Sequence, residues 1–213
     1  MIKEVVGTAL VCGAFITNIS MAASIGDSSS NSTFAAAQNI DSSFTMAYSP
    51  DIGDAAGNNT SLSSRHVTIG ATGDNSYDYF SFSVSQIETI GRFDIDHTLS
   101  VDTMIALWDS GGNFLKSNDD SSTQFGANGS TSSLDAFIEH TFSSAGTFVV
   151  GVARSVTAPE NGGWQSGGNV LRPGDNYTLQ VSLESPAPVP VPAAVWLLGS
   201  GLVGLVTFGR RRV

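Results

Sequence analysis

Six oxygen-bearing side chains crowd into one stretch of the sequence: Asp102, Asp109, Asn113, Asn118, Asp119 and Asp120. Carboxylate and amide oxygens of this kind are what calcium takes as ligands. The spacing is not that of an EF-hand. A loop opened at Asp109 places Gly111 where the third-position ligand belongs and Phe114 where the sixth-position glycine belongs. The simpler reading makes Asp109 to Asn113 a hairpin turn and Asn118 to Asp120 the start of a solvated loop. Asp102, Asp109, Asn118, Asp119 and Asp120 stand as the calcium candidates, and no other cofactor is implied.

Hydrolytic chemistry finds less support. His66, His97 and His140 are the only imidazoles, and neither a Gly-x-Ser-x-Gly elbow nor a His-Glu-x-x-His helix is present. His140 falls on an alternating segment as part of its pattern, so core or surface histidines are expected and no catalytic residue is assigned. Asp94 and Asp96 form a carboxylate pair, but a spacing of two puts both on the outer face of one strand, where solvated carboxylates are ordinary. Trp164 sits in the glycine-rich run Glu160-Asn161-Gly162-Gly163-Trp164-Gln165-Ser166-Gly167-Gly168. An aromatic exposed there would stack on a sugar ring, which makes it the candidate glycan contact; the competing reading is a lid packed over the end of the domain.

The elements that must position these residues are strands. Phe80, Phe82 and Val84 alternate with Tyr79, Ser81 and Ser83; Phe93 and Ile95 alternate with Arg92, Asp94 and Asp96. Ala136, Ile138 and Phe142 oppose Asp135, Glu139 and Thr141, Phe148, Val150 and Val152 continue the pattern, and Tyr177, Leu179, Val181 and Leu183 form a last strand. Met104 to Trp108 is apolar on both faces and reads as a central strand. Turn signals at Gly73-Asp74-Asn75, Ser110 to Asn113, Ala145-Gly146 and Pro173-Gly174-Asp175 separate them. Phe34 to Ile40 suits one helical turn or an edge strand within a stretch otherwise expected to be loop. The fold class expected is all-β over 24–184 with a loop-rich N-terminal part, an antiparallel sandwich for which the pattern alone allows a barrel as well.

Both ends of the 213-residue chain read as targeting segments. Lys3, the apolar run Val5 to Ile19, and small residues at Ser20 and Ala22 make 1–23 a signal peptide cut after Ala22 or Ala23. Cys12, the single cysteine, lies inside that run, so the mature chain has no thiol for a disulfide or thiolate site. Between 24 and 192 five basic residues face eighteen acidic ones, which argues against a nucleic-acid partner. Residues 185–192, Ser-Pro-Ala-Pro-Val-Pro-Val-Pro, form an extended linker. The seventeen uncharged residues 193–209 would cover about 25 Å as a transmembrane helix. Arg210, Arg211 and Arg212 within the tail 210–213 hold that end in the cytoplasm, leaving the domain outside.

The run Val189-Pro190-Val191-Pro192-Ala193-Ala194-Val195-Trp196-Leu197-Leu198-Gly199-Ser200-Gly201-Leu202, closed by Arg210-Arg211-Arg212, resembles the PEP-CTERM sorting signal of Gram-negative bacteria. Pro190, Pro192 and the three arginines carry the match, and Val191 departs from the glutamate of the family motif. The resemblance implies signal peptidase and an exosortase-type processing enzyme as partners, a transient stay in the inner membrane with the domain on the periplasmic side, and then the cell surface or an exopolysaccharide matrix. Asp78-Tyr79-Phe80-Ser81-Phe82, Asp102 to Asp109, Asn118-Asp119-Asp120 and Ala145 to Val150 are similar to the pre-peptidase C-terminal (PPC-like) β-sandwich, which implies a jelly-roll-like form of the sandwich and an accessory role rather than catalysis. The expectation is an exported non-enzymatic envelope or matrix protein associated with exopolysaccharide. A carbohydrate- or calcium-binding module is the alternative, and a secreted hydrolase comes third.

Overall fold

The computed structural model describes residue 22 and residues 24–96 and 101–187. The expected signal segment apart from Ala22, His97, the expected transmembrane segment 193–209 and the sorting residues Pro190, Pro192, Arg210, Arg211 and Arg212 lie outside the described residues. Among the described residues twelve strands follow in order: β1 Ser24–Gly26, β2 Gln38–Asn39, β3 Arg65–Thr72, β4 Asp78–Val84, β5 Thr89–Asp96, β6 Thr103–Asp109, β7 Phe114–Asn118, β8 Phe137–Phe142, β9 Gly146–Arg154, β10 Pro159–Glu160, β11 Gly163–Trp164 and β12 Asn176–Glu184.

Alternation builds two five-stranded sheets, ordered β1-β3-β12-β5-β8 and β2-β4-β9-β6-β7, with β10 and β11 as a separate ribbon. Val67, Ile69, Phe93, Ile95, Ile138, Leu179 and Val181 point inward from the first sheet. Phe80, Phe82, Ile105, Leu107, Phe148, Val150 and Val152 meet them from the second, so one apolar layer closes the sandwich. Packed rings consolidate it, Phe142 lying 4.4 Å from Phe148 and Phe82 5.4 Å from Phe93. Met104 to Trp108 does run in β6, flanked on both sides by β9 and β7.

Three features depart from expectation. The sheets are not wholly antiparallel, because β1 joins β3 and β2 joins β4 in parallel. Phe34 to Ile40 supplies both alternatives at once, a 3₁₀ turn at Phe34–Ala36 and then strand β2. The outer faces, expected to be solvated, are covered. On the second sheet Tyr79, Ala106, Trp108, Val149 and Ala153 form a second core with Trp164, onto which Phe34 and Tyr77 pack. Over the first sheet, segments 45–64 and 121–135 close as a strap. Thr45 bridges His66, Ala55 bridges Phe125, and Ala127 N–H donates to Asp51 O at 3.2 Å. Arg92, Asp94 and Asp96 are therefore buried rather than solvated, since a second layer of loop removes water from the face that strand alternation assigns to polar residues.

Candidate functional site

Strand ends bring together three of the five calcium candidates. Thr103 on β6 pairs with Arg154 on β9, and Ile105 pairs with Asn118 on β7, so the residues just beyond these positions gather at one edge of the second sheet. Asp102 precedes β6, Asp119 and Asp120 follow β7, and Ser155 follows β9. Ser155 Oγ donates to Asp119 Oδ2 at 3.0 Å, and Ser155 N–H donates to the Asp102 carbonyl at 2.9 Å. Asp102 Oδ1 and Asp119 Oδ1 are buried atoms without a protein hydrogen bond. Burial, followed by the Asp120 charge, pushes the Asp102 carboxyl above its ordinary range. Burial also raises Asp119, with Asp102 and Asp120 adding to it against the Ser155 hydroxyl.

The other two candidates hold the backbone. Asp109 Oδ1 accepts N–H bonds from Gly111 and Asn113, both at 2.9 Å, and its Oδ2 accepts from the Asn113 amide at 2.7 Å. Gly112, with φ of 79°, supplies the left-handed residue of that hairpin. Asp109 is thus the turn anchor that the simpler reading expected. Asn118 Oδ1 accepts from Ser121 Oγ at 2.9 Å and from Phe137 N–H at 3.0 Å, tying β7 to β8. Among the described residues no three His, Cys, Asp or Glu side chains stand together as a set able to hold a metal ion. As placed, the Asp102–Asp119–Asp120 edge offers two unpartnered carboxylate oxygens, not a closed coordination shell.

Trp164 is only 7% exposed. Its ring meets Trp108 edge-on at 5.3 Å and Tyr77 at 6.2 Å, and a Cβ on Gly151 would stand 2.9 Å from its indole nitrogen. Tyr79 Oη accepts the Trp164 backbone N–H at 2.9 Å. The structure makes it the lid over the outer face of the second sheet. His66 is buried with Nδ1 3.0 Å from the Ser64 carbonyl oxygen, and His140 packs edge-on against Phe142 at 4.9 Å. Burial, then the Lys116 charge, lowers the His140 pKa. His66 stands opposite Ser182 in the β3–β12 register, but its Nε2 is buried without a hydrogen bond, so the two are not joined as a nucleophile and base.

One acidic group escaped the sequence reading. Asp78, at the start of β4, is buried and accepts the Tyr177 hydroxyl hydrogen at 2.6 Å. Desolvation pushes its carboxyl up to about 7, with the Tyr177 hydrogen bond opposing and Asp27 and Asp74 adding. No local pattern signals this pair, because its members are separated along the chain and meet only when β4 and β12 face each other across the core. No family model and no curated protein matches the chain.

Proposed function

We propose that this chain is an exported, non-enzymatic protein of the cell envelope or extracellular polysaccharide matrix, a jelly-roll-like PPC-type sandwich delivered by a PEP-CTERM signal. The observation that carries this reading is the order of segments after the last strand. β12 ends at Glu184 in the middle of the first sheet. Proline spacer, uncharged stretch and arginine cluster then follow without interruption. Among the described residues the C-terminal strand, β12, is held between β3 and β5, so the first sheet is in place before the proline spacer begins. Low charge, the absence of cysteine after Cys12 and an acidic surface suit a secreted scaffold. Mass spectrometry of the protein from its host reads both mature termini. The reading expects a start at Ala23 or Ser24 and an end ahead of Arg210; an intact Arg212 in surface material would make the chain a permanently anchored membrane protein instead.

A further inference from the structure

The strap over the first sheet encloses a cluster of oxygen acceptors that the proposed function does not use. Asp94 on β5 is 4% exposed and Gln180 on β12 is 3% exposed, and the two occupy directly opposite register positions. Asp96 and Asp135 are buried beside them. Gln180 Nε2 donates to Asp96 Oδ2 at 2.8 Å. That contact orients the amide, because the reverse placement would set two acceptors against each other. Gln180 Oε1 is left buried without a hydrogen bond, and so are both oxygens of Asp94.

Unsatisfied acceptors at this depth call for a positive partner. Arg92, two residues back on the same face, is committed elsewhere, to Glu139 at 2.8 Å and Glu184 at 2.6 Å. Burial, followed by the negative Asp96, Asp135 and Asp51, pushes the Asp94 carboxyl upward. The strap adds close backbone. A Cβ on Gly126 would stand 2.3 Å from Asp94 Oδ2, with the Asp51 carbonyl oxygen 3.9 Å from the same point. Phe125 stacks on Phe137 at 4.6 Å and closes the edge.

We propose that Asp94 and the amide oxygen of Gln180 are the side-chain ligands of a buried calcium ion under this strap. The donors are all hard oxygens, and neutral carbonyls serve calcium without a third converging carboxylate. Magnesium fits less well, since it demands a near-ideal octahedron and gives up its waters reluctantly.

The test uses the full chain, stripped with EDTA and titrated with calcium chloride by calorimetry and thermal melting. Expected are saturable binding of one ion at this site and a Tm rise of about 5 °C or more at saturation. Asp94→Asn abolishes both, while its Tm in EDTA stays at or above that of the unmodified chain, because the amide relieves a buried carboxyl left without a hydrogen bond. Gln180→Met weakens binding at least tenfold and serves as the second variant where Asp94→Asn fails to fold. Asp119→Asn leaves binding unchanged, and magnesium at the same concentration gives a smaller rise. A calcium-indifferent chain overturns the proposal, as does a calcium response that survives Asp94→Asn and Gln180→Met. A response lost in Asp119→Asn but kept in Asp94→Asn also overturns it, transferring the ion to the Asp102–Asp119 edge.

Discussion

Tyr79 shows how much one side chain carries in this molecule. Its ring belongs to the outer core of the second sheet, and its hydroxyl accepts the Trp164 backbone N–H at 2.9 Å. Removing that oxygen leaves a buried donor unpaired, so Tyr79→Phe is expected to cost about 1–3 kcal/mol in denaturant unfolding. Asp78 sets a pH dependence of definite sign. Its carboxyl is raised in the folded state to about 7, facing Tyr177, Asp27 and Asp74. The folded chain therefore holds a proton that the unfolded chain releases near pH 4. The stabilisation is complete below that pH and is lost as pH rises through 7, at up to about 1.4 kcal/mol per pH unit. Melting curves between pH 4 and 8 should fall more steeply for the unmodified chain than for Asp78→Asn. At this scale the sequence was a partial guide. Asp109 acts as the turn residue that local chemistry makes it, because its partners lie two and four residues away. Asp78 was illegible, because its partner Tyr177 is distant in sequence and only tertiary pairing brings the two together.

Strands were legible where one face is apolar. Phe80, Phe82 and Val84, or Tyr177, Leu179, Val181 and Leu183, declare their inward face by alternation alone, and all of them lie in the main core. The opposite faces were misread wherever another segment covers them, since alternation reports polarity and not what lies above it. Asp94 and Asp96 are the clearest case, polar residues on an outer face that the strap buries. The strap depends on a close backbone approach at Gly126, whose φ is 74°. Gly126→Ala would drive a Cβ into Asp94 and impose an unfavourable backbone angle, with an expected loss of about 1–3 kcal/mol and faster proteolysis within 45–64. On the other sheet, a Cβ on Gly151 would stand 2.9 Å from Trp108 and Trp164 and 3.1 Å from Tyr79, so glycine is what lets these rings close over the strand. Trp164→Ala should cost about 3–5 kcal/mol in thermal or denaturant unfolding, the loss expected of a core aromatic. A surface glycan contact would instead leave stability nearly untouched.

At the scale of the molecule, the described residues form two five-stranded sheets around one apolar layer, with each outer face covered by a further segment of chain. Because β12 completes the first sheet at Glu184, a chain ending at Ala187 is expected to unfold cooperatively with a Tm within about 2 °C of the longer form. A shift well beyond that, read by calorimetry, would tie the tail to the domain. By itself the sequence determined the all-β class, the inward faces of the long strands, the Asp109 hairpin and the composition of the two ends, since each of these rests on period, turn chemistry or charge within a few residues. Tertiary structure alone decided the parallel attachment of β1 and β2, the second core around Trp108 and Trp164, and the buried meeting of Asp94 with Gln180. Those features depend on which segments remote in sequence come to lie over one another, and hydrophobic period along a single strand carries no record of its cover.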